Sequence, residues 1–177
     1  MMAPGKRNIL LIEASRCFGC GGCEAACQLE HDLPPETRCI RIVPLGPVGE
    51  AEEMTLSFQP VTCSHCEFPA CVAACPTGAM QRGSDGEVFS DRDLCIGCQT
   101  CAVACPFGVP QLNTTTGKIA KCDMCRSRTE QGLTPACVLT CPAGALIFAP
   151  PSRAVQEVRL QEALKVAQTL ATEGGER

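Results

Sequence analysis

Cysteine dominates the chemistry open to this chain of 177 residues, which holds 17 cysteines and two histidines but no tryptophan and no tyrosine. Sixteen of the cysteines fall into four groups: Cys17, Cys20, Cys23 and Cys27; Cys63, Cys66, Cys71 and Cys75; Cys95, Cys98, Cys101 and Cys105; and Cys122, Cys125, Cys137 and Cys141. Groups one and three share the spacing C-x2-C-x2-C-x3-C, while groups two and four widen one gap, to C-x2-C-x4-C-x3-C and C-x2-C-x11-C-x3-C. Three thiolates on a tight C-x2-C-x2-C loop can converge on one iron–sulfur cube, and the fourth starts a helix that carries it to a neighbouring cube. Sixteen thiolates so arranged would hold four [4Fe–4S] clusters.

The residues around the cysteines suit that role. Glycines inside the loops (Gly19, Gly21, Gly22, Gly97) let backbone pass close to inorganic sulfide, and proline after the fourth cysteine (Pro76, Pro106, Pro142) turns the chain away. Motif one departs from this, because Gln28 follows Cys27 and leaves the exit less constrained. Zinc is the rival for C-x2-C pairs, but structural zinc sites separate two pairs by roughly 12 to 20 residues, whereas these cysteines come in threes and fours. An odd count, with no apolar signal segment in residues 1–16, argues against a disulfide framework. Cys39, in the alternating stretch RCIRIV, reads as a buried free thiol on a strand. Neither His31 nor His65 reads as a ligand. His65, inside CSHC, reads as a surface-loop residue, with a hydrogen bond to a cluster sulfur as the alternative.

Short elements must position these motifs. Residues 7–16 read as a strand leading into motif one and residues 24–30 as the helix that ends it. Residues 38–44 and 54–61 read as two strands joined by a loop rich in glycine, proline and glutamate, and Asp85-Gly86 marks a β-hairpin between motifs two and three. From Ser152, expected as N-cap after two prolines, to about residue 172, apolar residues at near-helical spacing predict a terminal helix that stops before Gly174-Gly175. That helix packs either on its own domain or on a partner chain. The motifs alternate in type, and Pro69-Ala70-Cys71-Val72 with Cys75-Pro76 recurs 66 positions later as Pro135-Ala136-Cys137-Val138 with Cys141-Pro142, a sign of duplication.

Composition excludes several classes. With aromatics at 3%, bulky side chains cannot build the core, which leaves cluster ligation to hold the fold. A formal charge of −4 argues against nucleic acid as a partner. No run approaches the roughly 18 apolar residues of a membrane span, and with no export signal read at the start the expected location is cytoplasmic. There is no phosphate loop, no G-x-G-x-x-G after a strand and no nucleophile–base pair, so substrate chemistry is expected on another chain.

Last-cysteine exchange makes the motifs work in pairs. If one pairs with four and two with three, Cys17, Cys20, Cys23 and Cys141 bind one cluster and Cys27, Cys122, Cys125 and Cys137 its neighbour. Cys63, Cys66, Cys71 and Cys105 then bind a third, and Cys75, Cys95, Cys98 and Cys101 the fourth. Spacing alone leaves the pairing open.

The runs CSHCEFPACVAACPTGAM, DLCIGCQTCAVACPFGVPQLN and KCDMCRSRTEQGLTPACVLTCPAGAL resemble the four-cluster ferredoxin-like subunits of molybdenum and tungsten oxidoreductases, among them those of dimethyl sulfoxide reductase, formate dehydrogenases and tungsten aldehyde oxidoreductases. The likeness covers roughly residues 8–148. It implies the crossed pairing and an α+β fold: two nested bacterial-ferredoxin-like modules, with short helices and β-hairpins around four cubane clusters. On that division residues 1–60 and 111–150 form the outer module, residues 61–110 the inserted one, and residues 151–177 a C-terminal amphipathic helix and tail.

The resemblance also implies a role, the relay of single electrons between a large catalytic molybdenum or tungsten subunit and a second redox partner. Size favours an aldehyde oxidoreductase as the catalytic enzyme, with a hydrogenase or formate dehydrogenase as alternatives. The second partner would be a flavoprotein subunit, a ferredoxin or a further copy of the chain. A free diffusing polyferredoxin and an assembly factor with structural clusters are the rival functions. Four oxidised clusters at about −2 each would take the holoprotein to roughly −12. Lys118, Lys121, Arg126 and Arg128, which flank motif four, either offset that charge or form a solvated basic edge.

Overall fold

The computed structural model describes residues 8–49 and 54–173. Strand β1 (Ile9–Ile12) leads through a short 3-10 turn (Ala14–Arg16) into motif one and helix α1 (Gly22–His31). Strands β2 (Ile40–Val48) and β3 (Thr55–Thr62), both expected as strands, pair antiparallel, their register shifting between Leu45 and Val48; residues 50–53 of the connecting loop lie outside the described residues. Motif two ends in helix α2 (Ala70–Ala73), and the hairpin of β4 (Met80–Arg82) and β5 (Val88–Ser90) follows, with Gly86 at φ 86° in its turn. Helix α3 (Thr100–Ala104) belongs to motif three.

A second hairpin, β6 (Gln111–Asn113) with β7 (Lys118–Ala120), then leads to motif four, whose long gap folds as α4 (Arg126–Thr129) and α5 (Ala136–Leu139). Its turn is held by Asn113, whose Oδ1 accepts the amides of Thr115 and Thr116 at 3.0 and 3.1 Å. Strand β8 (Leu146–Ala149) returns to pair antiparallel with β1, Ile9 opposite Ala149 and Ile12 opposite Leu146. Helix α1 packs on α5 and α2 on α3.

Proline placement sets the helix lengths. Three motif helices, α2, α3 and α5, are only four or five residues long. Each is followed within two residues by a Cys-Pro pair, and the residue before proline is pushed out of helical geometry. Cys105 accordingly sits at φ −80°, ψ 118°. In α1 the fourth cysteine is followed by Gln28, so the helix runs on past Cys27 to His31. Gln28 then ties it down, its Nε2 donating to the Pro35 carbonyl at 2.9 Å.

Two apolar clusters form the interior, and cysteines make up about half of each. One gathers Cys23, Cys27, Cys39, Cys137, Ile40, Ala120 and Leu146; the other gathers Cys71, Cys95, Cys101, Ala79, Met80, Val88 and Ile119. Cys39 is buried, as expected.

Helix α6 (Pro151–Glu173) departs from expectation at its start and in its apolar pattern. Ser152 is not its cap: Pro151 occupies the first turn, where a missing N–H costs nothing, and the Pro150 carbonyl accepts the Ala154 amide at 3.0 Å. Ala154, 2% exposed, anchors the helix, which packs on β1 and β8. Beyond that turn Val155, Val158, Leu160, Leu164 and Val166 are exposed. At about 100° per residue Val158 and Leu160 point to nearly opposite sides, so the apolar residues are spread around the helix instead of forming one amphipathic stripe. The expected stop at Gly174-Gly175 lies outside the described residues.

Candidate iron-sulfur sites

A shared backbone device shapes all four motifs. The residue just before the second cysteine lies in left-handed geometry in each: Gly19 at φ 78°, His65 at 45°, Gly97 at 70° and Met124 at 63°. That turn swings the second sulfur round the loop, as convergence on a cube requires. Motifs one and three use glycine for it, as the sequence suggested; motifs two and four force it on a histidine and a methionine at some strain.

The sixteen thiols line four separate cavities. The first holds Cys17, Cys20, Cys23 and Cys141, with Phe18, Ile42 and Leu146. The second holds Cys27, Cys122, Cys125 and Cys137, with His31 and Thr62. The third holds Cys63, Cys66, Cys71 and Cys105, with Phe107, Val109 and Lys121. The fourth holds Cys75, Cys95, Cys98 and Cys101, with Met80, Ser90 and Ile119. All 17 cysteines are free thiols, and among the described residues no three His, Cys, Asp or Glu side chains close on a point that would hold a single metal ion. Quartets of sulfurs held apart around a cavity suit a multi-iron cube better than one tetrahedral zinc.

Hydrogen-bond donors already point at the sulfurs. Backbone amides of Ala145, His65, Met80 and Ile119 donate to Cys141, Cys63, Cys75 and Cys95 at 3.3, 3.4, 3.5 and 3.4 Å. The Thr100 hydroxyl donates to Cys98 at 3.4 Å and holds its thiol below the ordinary range. His31 Nε2 lies 3.5 Å from Cys125 Sγ and 3.7 Å from Asp123 Oδ1. Such donors favour thiolate, the form that binds iron. Burial acts the other way. It pushes Cys122 and Cys137 up to about 12 and Cys125 to about 11, so a bare thiolate is strongly disfavoured there.

Shared elements join the cavities: α1 carries Cys23 of the first and Cys27 of the second, Lys121 lines the third and directly precedes Cys122 of the second, and α2 carries Cys71 of the third and leads to Cys75 of the fourth. Cys20 and Cys98, in the first and fourth cavities, are exposed.

His65 corrects the sequence reading. It is 1% exposed, and its Nδ1 accepts the Val88 amide at 2.8 Å, which fixes motif two against the β4–β5 hairpin. Lys121, expected on a solvated edge or near the clusters, is buried. Arg126 and Arg128 stay at the surface in ion pairs with Glu130 and Glu30. A cleft of about 200 Å³ bordered by His65, Asp85, Glu87 and Arg126 has no cysteine in its lining.

Comparison with known proteins agrees with this chemistry. A family described as 4Fe-4S dicluster domain matches residues 54–150, and a second family of the same description matches residues 16–79. The B subunit of anaerobic dimethyl sulfoxide reductase from Escherichia coli is 44% identical over 146 residues, 78% of this chain and 71% of the relative. The thiosulfate reductase electron transfer subunit PhsB of Salmonella typhi is 40% identical over 142 residues, 79% and 74% of the two proteins. YnfG of Escherichia coli, a probable anaerobic dimethyl sulfoxide reductase subunit, is 43% identical over 155 residues, 84% and 74%.

The chain therefore belongs to the family of four-cluster 4Fe-4S electron-transfer proteins represented by the B subunit of dimethyl sulfoxide reductase. It is a non-catalytic electron-transfer subunit with four [4Fe–4S] clusters as cofactors. Among the described residues no helix is long and apolar enough to cross a membrane.

Proposed function

We propose that the chain relays single electrons along a row of four clusters, each held by one of the four quartets. Cys17, Cys20, Cys23 and Cys141 bind the first; Cys27, Cys122, Cys125 and Cys137 the second; Cys63, Cys66, Cys71 and Cys105 the third; and Cys75, Cys95, Cys98 and Cys101 the fourth. The observation that carries this reading is that every cavity draws its cysteines from two motifs, one with four or two with three. Supporting it, the strands beside motifs one and four pair as β1 and β8, and α1 packs on α5 while α2 packs on α3. The proposed division is an outer module of residues 1–60 and 111–150, an inserted module of residues 61–110, and a tail of residues 151–177.

Electrons enter and leave at the ends, near the exposed Cys20 and Cys98. Relatives at 40–44% identity are subunits of dimethyl sulfoxide and thiosulfate reductases, which favours a catalytic molybdenum subunit of that class over an aldehyde oxidoreductase, a choice that rested on length. Sixteen iron-binding thiolates suit a reducing, cytoplasmic setting.

Anaerobic purification from the host with the associated large subunit tests the partner; a chain that always purifies alone would instead indicate a free carrier. For ligation, Cys98→Ser should lose or convert one cluster. An unchanged iron content of about sixteen per chain with an unchanged spin signal would refute the assignment.

A further inference from the structure

Lys121 directly precedes Cys122 and is 7% exposed, the one lysine or arginine buried among the described residues. Its Nζ donates to the carbonyls of Val88 and Cys122, and it lines the third cavity beside Cys63, Cys66, Cys71 and Cys105. Cys122 itself belongs to the second cavity, so the ammonium lies where the two middle sites adjoin. Among the described residues no carboxylate pairs with it. A buried ammonium with only carbonyl partners is costly unless an anion stands close by.

The position is also asymmetric. Thr62 precedes Cys63 as Lys121 precedes Cys122, and it too is buried, but it is neutral and donates to the Cys39 carbonyl at 2.8 Å. Among the described residues Lys121, contributed by motif four, is therefore the one lysine or arginine buried in the middle of the row.

We infer that Lys121 is the counter-ion shared by the second and third clusters and raises the reduction potentials of both above the values their burial would set. Reduction adds one negative charge to a cluster, and a fixed positive charge in a poorly solvated interior stabilises that form. Lys121 acts through the clusters and binds no iron, so it is a positioning and tuning residue. An electron arriving from either end then meets a more favourable acceptor in the middle of the row than burial alone would leave. This rests on the ligand assignment proposed above.

The test is a potentiometric titration followed by electron spin resonance on the anaerobically purified full chain, comparing wild type, Lys121→Gln and Lys121→Arg. Glutamine keeps N–H donors for the two carbonyls and removes the charge; arginine keeps the charge. Lys121→Gln should retain about sixteen irons while two of the four potentials fall, each by about tenfold in redox equilibrium, or about 59 mV, and Lys121→Arg should restore them. Loss of only the two middle clusters from Lys121→Gln would equally support the counter-ion role. Four unmoved potentials, a shift confined to the end clusters, or equal loss of all four clusters would overturn it. Failure of the underlying ligation would show separately, as fewer than four clusters in the wild-type chain.

Discussion

The two middle sites and the two end sites use the same ligand chemistry in different surroundings. In the second cavity Cys27, Cys125 and Cys137 are buried, burial holds the thiols of Cys122, Cys125 and Cys137 high, and His31 stands beside Cys125. At the ends Cys20 and Cys98 face solvent, and in the fourth cavity hydroxyls of Thr77 and Thr100 approach the sulfurs of Cys75 and Cys98 at 3.7 and 3.4 Å. Solvent and hydroxyls stabilise added charge at the ends, whereas among the described residues the buried lysine of the middle is Lys121. Cluster type is thus common to the row, and the differences between clusters come from packing.

Cysteine replacement would separate middle from end most strongly. Cys137→Ser places a hydroxyl in a buried quartet and should remove the second cluster, cutting the row; iron should fall to about twelve per chain or below, with reduced folded yield. Cys98→Ser, in an exposed position, should leave the other three clusters and the folded yield intact. Iron and acid-labile sulfide assays with circular dichroism check both, and equal damage from the two would erase the distinction.

A smaller effect is expected within the loops. A Cβ on Gly97 would lie 2.2 Å from the Gly117 carbonyl oxygen at φ +70°, so Gly97→Ala must displace backbone beside the fourth site and should cost about 3 kcal/mol. Gly21, at φ +75° in the loop of the first site, has open space around it. Its counterpart in motif three is Gln99, which already adopts φ 61°, so Gly21→Ala should cost only about 1 kcal/mol. Denaturation followed by cluster absorbance would rank the two.

Below the Gly97 effect comes the clamp on α1. Glu24 Oε1 accepts the Ile42 amide at 2.7 Å and Oε2 pairs with Arg38 at 2.5 Å, tying the helix that bears Cys23 and Cys27 to β2. Glu24→Ala should cost about 1.5–3 kcal/mol in the same assay. Smallest is Arg126→Ala. Its guanidinium lies 4.3 Å from the Phe89 ring centroid and pairs with Glu130 at 2.6 Å, but it is largely solvated, so about 0.5–1 kcal/mol is expected.

Much of the site was legible because it is periodic. The spacing of sixteen cysteines, the prolines that end three helices, and Asp85-Gly86 each report a local constraint that the structure carries out locally. Gln28 after Cys27 was readable as a freer exit, and α1 is correspondingly longer. His65 and Met124 were not readable as left-handed residues, since nothing in C-x2-C distinguishes them from ordinary loop positions. The β6–β7 hairpin went unread, although Asn113 followed by three threonines and Gly117 is turn chemistry. Ser152 misled as a cap because proline at the first helical position competes with it and won.

By itself, then, the order of residues determined what the chain binds and how many clusters, because metal ligation depends on residue type and on spacings of two or three positions. Which cysteines share a cavity, which sulfurs reach solvent, and that Lys121 rather than Lys118 is buried between two sites were decided only by the tertiary structure. Those properties depend on segments tens of residues apart, such as β1 and β8, meeting in space, and on the dielectric and charge their meeting creates.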